Sequence, residues 1–270
     1  MRTELEVIRR GAVGEPRSTP LLFVHGAWHA AWCWEEFFLD HFAGLGYEVA
    51  ALSLRGHGGS ASDRSLRRHR IADYVADVAA VAAELPAPPV VIGHSMGGYV
   101  VQHYLARHPA AAGVLLASAP PGGVWRTTLR TLVRHPLRFL WANLSLSLYP
   151  LVNTPALARE LFYSESVAEA DVQRWAARLG DESFLAFLDM LLLDRPDPGA
   201  VQVPLRVLGG ERDAVFHAPE VEATAAAYGT RARLFAGAGH NLMLEPCWPE
   251  VADDIDAWIR SGFAPDPEAG

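Results

Sequence analysis

Seven short runs rich in Val, Leu, Ile and Ala punctuate the chain, at Leu5–Arg10, Leu21–His25, Val49–Leu54, Val90–Gly93, Gly113–Ser118, Leu205–Gly209 and Ala232–Ala236. Short runs that stay apolar at odd and even positions suit strands covered on both faces, as in a parallel sheet. Between them, apolar positions recur at three- and four-residue steps: Ile71, Tyr74, Val75, Val78, Ala82 and Leu85, then Gly97, Val100, Val101, Tyr104 and Leu105, and finally Val251, Ile255, Trp258 and Ile259. That is the period of a helix with one packed face. Alternation of the two patterns predicts an α/β fold, a mostly parallel central sheet with helices on both faces. Beyond the last helix, Pro265 and Pro267 predict an extended, mobile tail.

The alternation stops at Pro120–Gly123 and resumes at Val203–Pro204. The residues between lack strand character, which predicts a core domain of residues 1–121 and 203–270 interrupted by a helical cap, 122–202. Within the cap, Pro155–Tyr163, Val167–Leu179 and Ser183–Leu193 read as helices. In the last, Phe184, Leu185, Phe187, Leu188, Leu191 and Leu192 exceed one amphipathic face, so it requires cover on several sides. The greasy stretch Thr127–Val152 is broken by Arg130, Arg134, His135, Pro136, Arg138 and Pro150, so no membrane span is expected.

Composition narrows the chemistry. Half of the 270 residues are hydrophobic, enough for a sizeable core, and a net charge of -8 argues against nucleic acid as a partner. All 23 basic residues are Arg, so Schiff-base and lysine acid/base chemistry are ruled out. Cys33 and Cys247 lack the paired spacing of a zinc or redox motif and read as reduced structural thiols. Charges at Arg2, Glu4, Glu6, Arg9 and Arg10 leave Met1–Val13 without the apolar region of a signal peptide, and a cytoplasmic protein is expected.

The sharpest local signal is Pro89–Gly98, where an apolar strand runs into Gly93-His94-Ser95-Met96-Gly97 and then into a helix. On a turn this tight, side chains at 93 and 97 would collide with neighbouring backbone, and the Ser95 hydroxyl is pushed outward as a candidate nucleophile. An unassisted hydroxyl is a poor nucleophile, so a carboxylate and a histidine are required downstream. Asp213 and Glu211 both follow the strand Leu205–Gly209, and spacing alone leaves Glu211 open as the acid or as a solvated turn carboxylate. His240, on the small-residue turn Gly237-Ala238-Gly239, is the candidate general base. The strand Leu21–Val24 delivers the turn His25-Gly26-Ala27-Trp28 to the same edge, where the backbone N–H groups of Ala27 and Met96 suit an oxyanion hole.

Together, His25-Gly26-Ala27-Trp28, Leu54-Arg55-Gly56-His57-Gly58, Gly93–Gly98, Asp213 and Gly239-His240 resemble the α/β-hydrolase superfamily over nearly the whole chain. The run from His25 to Trp34 is similar to its methylesterase and hydroxynitrile lyase branch and the bacterial relatives of that branch. The resemblance implies Asp213 as the acid of a Ser95–Asp213–His240 triad, a helical cap and a cofactor-free enzyme. Two departures stand out. Ser53 occupies a place where many relatives carry Asp, leaving a structural ion pair of that loop without its acid, and the absence of Lys excludes lyase chemistry that depends on one.

The remaining candidates have bland readings too. His25, His57 and His94 suit hydrogen-bonded scaffold, and His25 with His29 makes a weak zinc pair in a glycine-containing turn, so no metal is expected. Trp28, His94, Trp125, Phe139, Trp141, Phe187 and Leu242 are candidate substrate contacts, though core packing or a dimer contact explains apolar residues of the cap equally well. The expected activity is hydrolysis of a carboxylic ester with an apolar acyl or alcohol group, by a monomer or homodimer acting on a small hydrophobic molecule. The same triad acting on an amide, thioester or carbon–carbon bond, in a tailoring enzyme or otherwise, and a non-catalytic ligand-binding module are the alternatives.

Overall fold

The computed structural model describes residues 4–62 and 64–264, so the tail expected at Pro265 and Pro267 lies outside the described residues. The strands are β1 (Val7–Arg10), β2 (Leu21–Val24), β3 (Val49–Leu52), β4 (Val90–His94), β5 (Ala112–Leu116), β6 (Leu205–Gly210) and β7 (Ala232–Phe235). They form one sheet in the order β1-β3-β2-β4-β5-β6-β7, with β1 antiparallel to β3 and every other pair parallel. Each predicted strand is present with its ends moved by at most two residues, shortened in β1, β2, β3 and β7 and lengthened by one in β4 and β6, where His94 and Gly210 still have cross-strand partners.

The helices are α1 (Trp32–Glu35), α2 (Phe38–Gly44), α3 (Ile71–Ala82), α4 (Met96–Leu105), α5 (Trp125–Arg134), α6 (Pro136–Ser145), α7 (Pro155–Phe162), α8 (Glu169–Ala176), α9 (Phe184–Leu188), α10 (Ala218–Ala227) and α11 (Trp248–Arg260). Strand period sorts the core into two layers. Leu21 and Phe23 of β2 face Trp34, Phe38 and Phe42 on the α2/α11 side. Leu22 and Val24 face Tyr74, Val78 and Val101 on the α3/α4 side. Burying a side chain such as Phe23 completely stabilises the fold by about 1.5–3 kcal/mol.

The segment between β5 and β6 carries α5 to α9 and no strand among its residues. The predicted helix Ser183–Leu193 divides into α9 and a wider turn, Asp189–Leu193, where fully buried Asp189 takes the Arg70 guanidinium and the Ile71 N–H. Pro136 opens α6 at a position needing no N–H, and left-handed Leu146 ends it. α5 and α6 fall largely in the stretch Thr127–Val152, which was weighed from sequence only as a membrane span, so its helical spacing went unassigned.

Candidate active site

Ser95 sits between β4 and α4 with φ 53° and ψ −119°, a left-handed conformation that a non-glycine residue holds only when its surroundings impose it. Those surroundings are visible. The Ser95 N–H donates to the Leu116 carbonyl at 3.1 Å, and its own carbonyl accepts from Tyr99 and Ala119. A Cβ at Gly93 would lie 2.5 Å from the Gly97 carbonyl oxygen, and one at Gly97 2.4 Å from the carbonyl oxygens of Val24 and His25. Glycine at both positions is a steric requirement of the turn.

Asp213 follows β6 and His240 follows β7, so both reach the carboxyl edge of the sheet where Ser95 lies. His240 Nδ1 and Asp213 Oδ2 are 2.8 Å apart, and both residues are buried. A carboxylate only accepts, so Nδ1 is the donor of this bond. Asp213 Oδ1 accepts the N–H groups of Val215 and Phe216 at 2.7 and 2.9 Å, which fixes the carboxylate plane. Glu211, by contrast, is exposed, and its side chain accepts a long hydrogen bond from the Gly237 N–H, at 3.4 Å. His94, next to Ser95, donates from Nε2 to the His240 carbonyl at 3.2 Å, and the two rings lie 4.7 Å apart.

The turn bearing Ala27 reaches Ser95 through Gly26, whose added Cβ would lie 2.9 Å from Ser95 Cβ. His25 braces it: Nδ1–H donates to the Gly26 carbonyl at 2.8 Å while Nε2 accepts the Leu54 N–H at 3.0 Å. Burial and the neighbouring His57 hold His25 neutral, well below its ordinary range. Trp28 takes φ 64°, and its carbonyl accepts the Gly180 N–H at 2.9 Å, fastening the turn to the inserted helices. Met96 opens α4, so its N–H has no acceptor one turn back and lies at the positive end of the helix.

A narrow cleft of about 90 Å³, partly open to solvent, is bounded by Ala27, Trp28, Ser95 and Met96 on one side and by α5, α6 and α9 on the other. Of the expected substrate contacts, Trp28, Phe139 and Phe187 line it. Trp125 and Trp141 instead point to solvent, 48% and 61% exposed, because α5 and α6 turn other faces inward. His94 and Leu242 are fully buried behind the cleft wall rather than in it.

Two polar arrangements escaped sequence reasoning. Glu182, from the insertion, borders the cleft and is held by His57 Nε2 at 3.0 Å and Tyr74 Oη at 2.9 Å. Burial opposes a charge on His57, but Glu182 outweighs it and leaves the imidazole above its ordinary value. Ser53, where an acid was expected from the resemblance, donates to Glu6 Oε2 at 2.5 Å and accepts the Ala31 N–H at 3.0 Å. The loop therefore obtains its carboxylate from the segment preceding β1. Among the described residues no group of three or more His, Cys, Asp or Glu side chains is placed to hold a metal, and no helix is long and apolar enough to cross a membrane.

Comparison with known proteins places this geometry in context. The chain is 41% identical over 106 residues to a non-heme haloperoxidase from Rhodococcus erythropolis, which is 38% of each chain. It is 36% identical over 113 residues to a bifunctional esterase/perhydrolase from Acinetobacter calcoaceticus, 39% of each chain. The matches therefore span about two fifths of those relatives. A thermophilic esterase from Thermogutta terrifontis shares the fold with a TM-score of 0.68 at 22% identity, over 97% of this chain and 95% of that one. The profile of the alpha/beta hydrolase family matches residues 21–254, nearly the entire sheet, the inserted helices and the site. The chain belongs to the alpha/beta hydrolase family.

Proposed function

We propose that the chain hydrolyses carboxylic esters with an apolar acyl or alcohol group, through an acyl intermediate on Ser95. The observation that carries this reading is the buried 2.8 Å Asp213–His240 pair at the same sheet edge as a strained serine that lines an apolar cleft. In this reading His240 Nε2 takes the Ser95 hydroxyl proton as Oγ bonds to the ester carbonyl carbon. The carbonyl oxygen becomes an oxyanion received by the N–H groups of Ala27 and Met96. Collapse breaks the bond to the leaving alkoxide, which recovers the proton from His240 and departs as the alcohol. Water then repeats the sequence on the acyl group and releases the acid.

Ala119, Val124, Phe139, Leu148, Leu151 and Phe187 give the cleft its apolar wall, so the portion of substrate beside Ser95 is expected to be hydrocarbon. Glu182 is already paired with His57, which argues against a free carboxylate for a cationic substrate. The test is a series of p-nitrophenyl esters from acetate to laurate, assayed with Asp213→Asn and Glu211→Gln. Asp213→Asn is expected to lower kcat about 10⁴-fold by releasing the imidazole into the wrong tautomer. Glu211→Gln should leave it unchanged, and equal losses in the two would refute the assignment. A second reading, transfer of the acyl group from Ser95 to hydrogen peroxide, is supported by the likeness to the Acinetobacter enzyme. Peracid formation from acetate and peroxide separates it from hydrolysis.

A further inference from the structure

α5 is amphipathic with its faces reversed. Its threonines, Thr127, Thr128 and Thr131, line the cleft, while Leu129 and Val133 face solvent. α6 continues the pattern: Phe139 and Asn143 turn inward, and Leu137, Leu140, Trp141 and Leu144 form an outward stripe at the i, i+3, i+4, i+7 spacing of one helix face. These six outward residues are 52–80% exposed. Leu192 and Leu193, from the turn after α9, add to the same exposed apolar set. A helix in water normally buries its leucines, and contiguous apolar patches of this kind mark a surface that meets something apolar.

Charge says what. From Leu85 to Arg159 the chain has no Asp or Glu, although its net charge is -8. Within α5 and α6, Arg130 is neutralised by Glu220 and Arg134 by Glu160. Arg126 lies over the Trp125 ring, and Arg138 bonds to the Pro150 carbonyl and Asn153 Oδ1. Among the described residues neither has a carboxylate partner, so both keep an uncompensated positive charge at the margin of the leucine stripe. A second copy docked by a two-fold axis would bring this cationic face against its own image. Leucines, two tryptophans and arginines on adjoining helix faces match the makeup of helices that lie in the headgroup region of a bilayer.

We propose that α5 and α6 dock the protein, peripherally and without spanning, on an anionic phospholipid surface. The inner faces of those helices wall the cleft, so hydrocarbon chains leaving the lipid phase would reach Ser95 past the same two helices. Flotation of the full chain with vesicles of phosphatidylcholine alone, or with phosphatidylglycerol added, tests this. Binding is expected to be at least tenfold stronger with phosphatidylglycerol, to weaken in high salt, and to fall at least tenfold in a Leu137→Glu/Leu144→Glu variant. Both side chains are exposed, so the variant should fold and still hydrolyse p-nitrophenyl acetate in solution; loss of that hydrolysis in the wild type would count against the esterase reading alone. Equal partition onto both vesicle types would overturn the proposal, as would a dimer in ultracentrifugation that the variant dissociates while vesicles bind neither form.

Discussion

Asn241 Nδ2 donates to His29 Nε2 across 3.0 Å, joining the loop that carries His240 to the turn that carries Ala27. On its other side the His29 ring donates from Nδ1 to the Ala27 carbonyl at 2.8 Å. The proposed oxyanion donor and the proposed base are thus held in one hydrogen-bonded unit. Geometry this close to a reacting centre matters, since small displacements cost large factors in rate.

Replacing Asn241 with Ala would leave His29 Nε2 buried without a partner. Such an orphaned group costs about 1–3 kcal/mol. Urea unfolding is expected to register that loss, and ester turnover should fall together with it because the Ala27 turn is freed. Unchanged stability and turnover would mean the link is incidental.

Acid should destabilise the protein through its buried imidazoles. Burial outweighs the hydrogen bond to Ala27 and holds His29 at about 4, against an ordinary 6.5. Because the folded value is depressed, the neutral form belongs to the native state. Its contribution is complete above about 6.5 and is lost as pH falls toward 4, roughly 3 kcal/mol over the window. His57 runs the other way: its raised value means stability present below 6.5 and lost as pH climbs through the native value. On acidification from pH 7 to 4.5 the melting temperature should fall less steeply in His29→Gln than in the wild type, and parallel curves would contradict the assignment.

The turn at Ser95 makes a sharp steric prediction. The methyl introduced by Gly97→Ala would press on two backbone oxygens that cannot move aside, so this substitution should cost about 3 kcal/mol, the upper end for overpacking. Gly180 has open space around its Cβ position, and Gly180→Ala should stay within about 0.5 kcal/mol. Thermal denaturation of the two variants side by side gives the comparison.

The sheet and the Ser95 turn were legible because both leave marks in the chain: buried strands keep apolar runs, and the turn demands glycine at fixed offsets. Asp213 was preferred over Glu211 for its place past the strand end and partly by family resemblance, and the structure supplies the physical distinction, a buried carboxylate on His240 against an exposed one on a turn. Trp125 and Trp141 were misplaced by the assumption that apolar residues face inward; here threonine faces the cleft and the helical apolar stripes of α5 and α6 face out. Links between residues far apart in the chain, Ser53 with Glu6, His57 with Glu182 and His29 with Asn241, have no local signature at all.

Ester cleavage by the proposed route requires Ser95 to be an activated nucleophile, which a fluorophosphonate traps as a phosphonyl ester with loss of fluoride. Intact-mass analysis after exposure to a fluorophosphonate, followed by peptide mapping, measures it most directly. One adduct per chain on Ser95, absent in Ser95→Ala together with ester hydrolysis, is the predicted result. Labelling elsewhere, or equal hydrolysis by wild type and Ser95→Ala, would contradict it.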